Sequence, residues 1–329
     1  MRDPAFWWRP AGLAAAVLSP LAAGYGAVAA WRMGRPGANA GIPVVCAGNL
    51  TVGGAGKTPT AIAVADILKA AGHRPFFLSR GYGGALTGPV LVDAASHRAA
   101  DVGDEPLLLT RTAPTFVAAD RVAGAQAAKA VGAGVIVMDD GFQNPSLAKT
   151  LSIVVVDGRR GIGNARVLPA GPLRAPLDVQ LRHAHAVLFI GGSDERIASE
   201  AQERSMPVFH GTLEPSAEAV AALRGRPVLA FAGIGDPEKF FATLSDAGLD
   251  VRARQAFPDH HRYRRIEAAD LLAQAEAEGL VPVTTEKDWV RLAGDDDVAA
   301  LAAVAKPLPV TLVVTESDAF RDLVLSRAG

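Results

Sequence analysis

The sequence predicts an α/β protein: a mostly parallel sheet with helices on both faces, then a smaller α/β unit, all preceded by an apolar helix. Three observations carry that expectation. From residue 42 onward, short apolar runs alternate with helical stretches, the pattern of a parallel sheet with crossover helices. A glycine-rich turn lies between the first apolar run and the first helix. The alternation restarts after about residue 214 in a chain of 329 residues, and at about 150 residues per domain that length suggests roughly two domains.

Composition narrows the classes. Half the residues are hydrophobic and 20% are charged, enough apolar material for a large core and too much for a disordered chain. Lys and Arg total 33 against 34 Asp and Glu, so there is no overall basic field of the kind that binds nucleic acid. One cysteine, Cys46, excludes an internal disulfide framework or a multi-cysteine metal site. The 34 glycines and 22 prolines follow no period, which excludes collagen-like and low-complexity readings.

In order along the chain, the first element is an uncharged stretch at residues 10–31, bracketed by Arg9, Arg32 and Arg35. It is long enough to span a bilayer, which takes about 20 apolar residues. Its content is mostly alanine, with Pro20 expected to kink it. Phe6, Trp7, Trp8, Tyr25 and Trp31 suit the headgroup level. Ala27, Val28 and Ala29 resemble a signal-peptide cleavage site, but a phosphate-binding loop follows, and its nucleotide is cytosolic. The expectation is a membrane-associated segment over residues 1–35, lying in the interface with its basic residues near anionic lipid. Spanning and buried-core placements are the alternatives.

Strands are then predicted at residues 42–47, 76–79, 115–118, 135–139, 153–157, 187–190 and 208–211, with a helix over 58–71. Further strands are predicted at 228–232, 281–285 and 310–315, and helices at 237–247, 266–278 and 318–326. The expected units are 36–212 and 213–329, with a boundary at 211–216. The last strand and helix are free to fold back onto the first unit.

The glycine-rich turn is Thr51, Val52, Gly53, Gly54, Ala55, Gly56, Lys57 and Thr58. Strand, loop and helix are the context of a phosphate loop, in which backbone N–H groups and the helix N-terminus face a phosphate. This makes the larger unit P-loop NTPase-like. Lys57 then reaches the β and γ phosphates of ATP, and the Thr58 hydroxyl ligates Mg²⁺. Thr51 replaces the usual first glycine. Partitioning-type membrane ATPases carry an extra lysine near the loop's start. Val52 stands there instead, which argues against a dimerising ATPase switch.

The strand at 135–139 ends in Asp139 and Asp140, where a carboxylate meets the magnesium of a bound nucleotide. Gln143 can place a polar group beside the same site. Asp104 and Glu105 open a predicted helix, where carboxylates also serve as ordinary caps. His260 and His261 sit in a predicted loop with Asp259, suited to proton transfer. Arg80 and Tyr82 follow a strand, where they can meet an anionic substrate or simply form a turn.

Several blocks together resemble the tetraacyldisaccharide 4′-kinase family of lipid A biosynthesis: residues 48–59, 78–83, 102–107, 138–143, 163–174, 230–235, 257–261 and 284–288. The resemblance implies ATP-dependent phosphorylation of the 4′-hydroxyl of tetraacyldisaccharide 1-phosphate at the cytoplasmic face of a Gram-negative inner membrane. It implies a second unit that closes over the site. It further implies Asp104 as base, with His260 or His261 as its partner. Thr58 and Glu105 are implied as Mg²⁺ ligands with Asp139 and Asp140 in the acidic cluster, and Asp120 with Arg121 as groups reaching the phosphates.

Overall fold

The computed structural model describes residues 3–328. Eight strands follow one another through the first two thirds of the chain: β1 (Val44–Asn49), β2 (Pro75–Ser79), β3 (Val90–Leu91), β4 (Thr115–Val117), β5 (Val135–Asp139), β6 (Leu151–Asp157), β7 (Ala186–Ile190) and β8 (Val208–Pro215). Then β9 (Pro227–Ala232), β10 (Asp250–Ala256), β11 (Val281–Thr285) and β12 (Lys306–Leu308) form a separate four-stranded sheet in the order β10-β9-β11-β12. The last strand, β13 (Val310–Val314), returns to the first group, which becomes a nine-stranded sheet in the order β13-β8-β7-β6-β1-β5-β2-β4-β3.

The central strands are parallel and buried on both faces, so they read as continuous apolar runs. Side chains alternate between two cores because successive Cβ atoms point to opposite faces of a strand. Val44, Cys46, Ile136, Met138 and Phe189 face one core. Val45, Ala47, Val135, Val137 and Leu188 face the other, where the helix Lys57–Ala70 contributes Ala61, Val64, Ala65 and Leu68. Burial pushes the Cys46 thiol up to about 12, so this cysteine is an inert core residue.

From β1 the chain winds outward to β2 and β4, then returns through β5 and crosses to β6 on the other side of β1. That reversal leaves a crevice at the carboxyl ends of β1 and β5, the place where open α/β sheets bind ligands. Register puts Asp139 opposite Ala47, so the loop after β1 and the carboxylates ending β5 meet at this edge.

Residues 211–215 are the second half of β8 and pair antiparallel with β13, so the boundary expected at 211–216 falls on a strand of the first sheet. The helix Ser317–Ser326 buries Phe320 and Val324 in the same core as Leu68. The strand pair and this apolar face together carry the C-terminus back across the first sheet.

At the other end of the chain, a helix runs without a break from Leu13 to Met33, through Pro20. Proline removes one backbone donor there, and the Ser19 hydroxyl donates to the Ala15 carbonyl at 2.8 Å one step earlier. Ala15, Ala22, Gly26 and Met33 are its buried residues, a narrow stripe of mostly small side chains. Leu13, Val17, Leu21, Tyr25, Val28 and Trp31 are all exposed. Only 17% of its most apolar window is buried, which excludes the role of a core helix. Trp7 anchors the preceding turn, its indole N–H donating to the Pro169 carbonyl at 3.0 Å.

Candidate active site

A cavity of about 1220 Å³ opens at the carboxyl edge of the large sheet and reaches across to the smaller one. Its first wall is the phosphate loop. Gly56, with φ of 92°, turns the chain into the helix Lys57–Ala70, a conformation that a Cβ would strain. Lys57 is folded back over the loop, with Nζ 3.3 Å from the Gly53 carbonyl and 3.7 Å from Asp140. The predicted loop residues Val52, Gly53, Gly54, Gly56, Lys57 and Thr58 line this cavity, and Thr51 and Ala55 lie outside it. Thr51 bridges Leu173, the Val52 N–H donates to the Pro172 carbonyl at 2.9 Å, and Ala55 is buried in the core.

Behind the loop lies Asp139, buried, with neither carboxylate oxygen hydrogen-bonded among the described residues. Burial, reinforced by the nearby charge of Glu105, pushes it up to about 7, with Lys287, Lys57 and Thr58 moderating the rise. A buried carboxylate without a donor calls for a cation. Among the described residues no three His, Cys, Asp or Glu side chains gather as a complete cage. Mg²⁺ does not need one, since it binds through one or two carboxylates, waters and substrate phosphates. Asp139 with Thr58 and Glu105 therefore fits Mg²⁺ bound together with nucleotide.

Asp140 is placed differently from its neighbour. It sits in the left-handed region with φ of 56°, which turns its side chain toward Arg174. Arg174 Nη1 donates to both Asp140 oxygens at 3.0 Å. Gln143 Nε2 donates to the Asn49 carbonyl and to Gln180, so it braces the strand end. Arg121 donates to the carbonyls of Ala118 and Ala119 while still lining the cavity.

The second wall begins at Gly103, whose φ of 89° brings its Cα against the Tyr82 carbonyl. An added Cβ would lie 2.6 Å from that oxygen. This close approach seats the helix Asp104–Leu109 directly after the turn. The Asp104 carboxylate is 4% exposed and meets two side chains from the other unit. His260 Nδ1 is 3.4 Å from its Oδ2, and Arg291 donates to the same oxygen through both Nε and Nη2. Burial alone would raise Asp104. His260, Arg291 and Lys287 outweigh it and hold Asp104 well below the usual carboxylate range. The hydrogen bond to Asp104 in turn raises His260 above its ordinary 6.5, against the opposing effect of burial. Glu105 pairs with Lys287 Nζ at 2.6 Å, and that charge offsets burial so that its pKa is lowered.

The two histidines separate cleanly. His260 has φ of 54°, a left-handed turn that sends consecutive side chains apart. His260 packs beside Tyr82, ring centroids 5.1 Å apart, and faces Asp104. His261 turns into its own unit, with Nε2 2.8 Å from Glu267 and its ring stacked on Phe257. Of the two residues paired with Asp104 in the sequence reading, His260 alone reaches it.

Lys287 and Arg291 carry no role in the sequence reading. They lie four residues apart on the helix Glu286–Leu292, one face of a helix, and that spacing is the signal that could have found them. Arg291 is anchored by Asp288 at 2.7 Å, and Asp288 also accepts from Tyr263 and from the Gly233 N–H. Arg174 was likewise visible only as a letter in a matching block.

Known proteins resemble this chain along nearly its whole length. A family model described as Tetraacyldisaccharide-1-P 4′-kinase matches residues 14–328. A protein named tetraacyldisaccharide 4′-kinase from Methylobacterium sp. (strain 4-46) is 57% identical over 97% of this chain and 95% of its own. One of the same name from Nitrobacter winogradskyi is 51% identical over 99% and 97%. A crystal structure of LpxK from Aquifex aeolicus in complex with ATP is similar with a TM-score of 0.74 at 25% identity, covering 96% of this chain and 99% of that one. This chain belongs to the tetraacyldisaccharide-1-P 4′-kinase family.

Proposed function

We infer that this protein transfers the γ-phosphoryl group of ATP to the 4′-hydroxyl of tetraacyldisaccharide 1-phosphate, forming the lipid A precursor lipid IVA. The observation that carries the chemistry is one cavity lined by the phosphate loop, Asp139, Glu105 and His260, with Asp104 at its wall.

In this reading the loop N–H groups and Lys57 hold the β and γ phosphates, so Lys57 leaves Asp140 when nucleotide enters. Thr58, Asp139 and Glu105 would hold Mg²⁺, which would supply charge neutralisation on the phosphates. Lys287, paired with Glu105, adds a cation at the same cavity wall. The acceptor hydroxyl donates to Asp104. A carboxylate held so low is a weak base alone, so the proton is passed to neutral His260. Arg291 fixes the orientation of Asp104, and closure of the smaller unit, residues 216–309, excludes water that would otherwise hydrolyse ATP.

The acceptor's acyl chains confine it to a bilayer surface, at about 0.8 kcal/mol per buried CH₂. The exposed ridge from Leu13 to Trp31 supports a peripheral or monotopic position on the cytoplasmic face of the inner membrane. No nucleic-acid partner belongs to this reading.

The test is to incubate the purified protein with Mg-ATP and detergent-dispersed tetraacyldisaccharide 1-phosphate and weigh the lipid by mass spectrometry. One added phosphate is expected, dependent on ATP and missing with Lys57→Ala. ATP turnover with unchanged lipid would instead favour a membrane-associated ATPase switch.

A further inference from the structure

Beside the start of the N-terminal helix lies a second cavity, of about 700 Å³, separate from the nucleotide cavity. Arg9, Arg160, Arg166 and Arg196 line it together with Trp8 and Asn164, and no carboxylate does. Arg160 is held in place by Asp3 at 3.8 Å and Asp236 at 3.6 Å and lies over the Trp8 ring at 4.8 Å. Arg9, Arg166 and Arg196 form no ion pair among the described residues. The wall therefore carries three unneutralised guanidinium groups.

The hydrogen-bonding inventory points the same way. A guanidinium and an indole N–H can only donate. Asn164, the amide in the wall, has already used its groups: Oδ1 accepts from the Arg166 N–H, and Nδ2 donates to the Ala170 carbonyl. Trp8 Nε1–H is buried and has no acceptor among the described residues. A buried donor without a partner is costly. Among the side chains of the cavity wall, the polar groups are thus donors or already used.

The cavity is a built feature. The turn Ala5–Trp8 is pinned to the large unit by the Trp7 indole on Pro169 and by the Asn164 N–H on the Trp7 carbonyl. Asp194, which caps the helix carrying Arg196, accepts from the N–H groups of Ile162 and Ile197 and pairs with none of these arginines among the described residues. Arg9 precedes the exposed apolar ridge by four residues, with Leu13 82% exposed. A ligand lying at a bilayer surface would therefore meet the arginines where the helix begins.

We propose that this arginine cavity binds a phosphate group, at a site distinct from the nucleotide loop. The phosphate comes either from the headgroup of an anionic phospholipid or from free phosphate in solution. Arg supplies forked donors that match phosphate oxygens, and a juxtamembrane basic residue adds about fivefold to binding at an anionic surface. The phospholipid source rests on the membrane position proposed above, whereas the phosphate chemistry does not.

Arg166 and Arg196 are exposed, so the double variant Arg166→Gln with Arg196→Gln leaves the core intact. Two measurements on the full chain, each with a nonhydrolysable ATP analogue occupying the phosphate loop, decide the matter. Flotation compares phosphatidylcholine vesicles with and without phosphatidylglycerol, and calorimetry titrates inorganic phosphate. Loss of roughly thirty-fold in affinity for phosphatidylglycerol vesicles, with phosphatidylcholine recovery unchanged, identifies a lipid headgroup. Loss of phosphate binding with vesicle recovery unchanged identifies free phosphate. If the variant matches the wild type in both measurements, or loses recovery equally on both vesicles, the proposal is overturned. Transfer to detergent-dispersed substrate should be the same in both proteins and reports separately on the kinase reading.

Discussion

The phosphate loop and the Asp104 cluster face one another across the same cavity, yet they are built in different ways. The loop is contiguous: its glycines, Lys57 and Thr58 lie within eight positions, and backbone amides supply most of what it offers a phosphate. The Asp104 cluster is assembled from side chains 182 and 187 positions apart in sequence, Glu105 with Lys287 and Asp104 with Arg291. Phosphate binding needs a backbone shape, which a local motif can encode. Tuning a buried carboxylate needs opposite charges brought from elsewhere, because burial by itself would neutralise it.

Removing the loop's cation should have the largest effect. Lys57→Ala is expected to lower transfer by about 10³-fold or more, measured as product formation at saturating ATP; a rate near wild type would leave the loop without its assigned role. Asp104→Asn should lower kcat by about 10²–10⁴-fold while ATP affinity, read by calorimetry, stays near wild type. Equal losses in both would mean that Asp104 belongs to the binding side of the comparison.

Arg291→Ala strands two buried carboxylates, Asp104 and Asp288, so unfolding by urea should show a loss of about 3–5 kcal/mol. Arg291→Lys should recover part of it, since lysine keeps the charge without the fork. Undiminished stability in the alanine variant would show that the two units are held by other contacts.

The pH response sharpens the contrast through opposite signs. His260 is raised above 6.5, so its contribution to stability is complete below pH 6.5 and is lost as pH rises through its folded value. Activity should move the other way, because proton acceptance needs neutral imidazole: kcat should climb through that same raised value. His260→Gln should abolish this limb and leave nucleotide affinity unchanged. The smallest catalytic effect is expected from Val17→Glu with Leu21→Glu on the exposed ridge. Vesicle recovery should fall while turnover of detergent-dispersed substrate holds; unchanged recovery would move the docking surface elsewhere.

How far the chain could be read before folding depends on the same division. The central strands were legible because burial on both faces leaves them uniformly apolar, as in Val135–Asp139. Strand β10, Asp250–Ala256, was not, because it is a mostly exposed edge carrying Arg252 and Arg254. The short strands β3 and β12 also lack a run long enough to register. Asp139 and Asp140 were read as one acidic pair. Folding separates them: a left-handed turn gives Asp140 to Arg174, and Asp139 keeps two buried oxygens without a donor among the described residues.

The sequence by itself determined the alternation of strands and helices, the phosphate loop, the carboxylates at the end of β5 and the apolar N-terminal helix. Each depends on residues within one or two turns or on simple periodicity. Only the tertiary structure decided that His260 rather than His261 faces Asp104 and that Lys287 and Arg291 set the charge around Asp104 and Glu105. It also decided that residues 310–328 return to the first sheet, and that four arginines scattered between Arg9 and Arg196 share one cavity. Those outcomes depend on chain reversals and on side chains meeting across more than a hundred residues, where spacing in the sequence carries no record of distance in space.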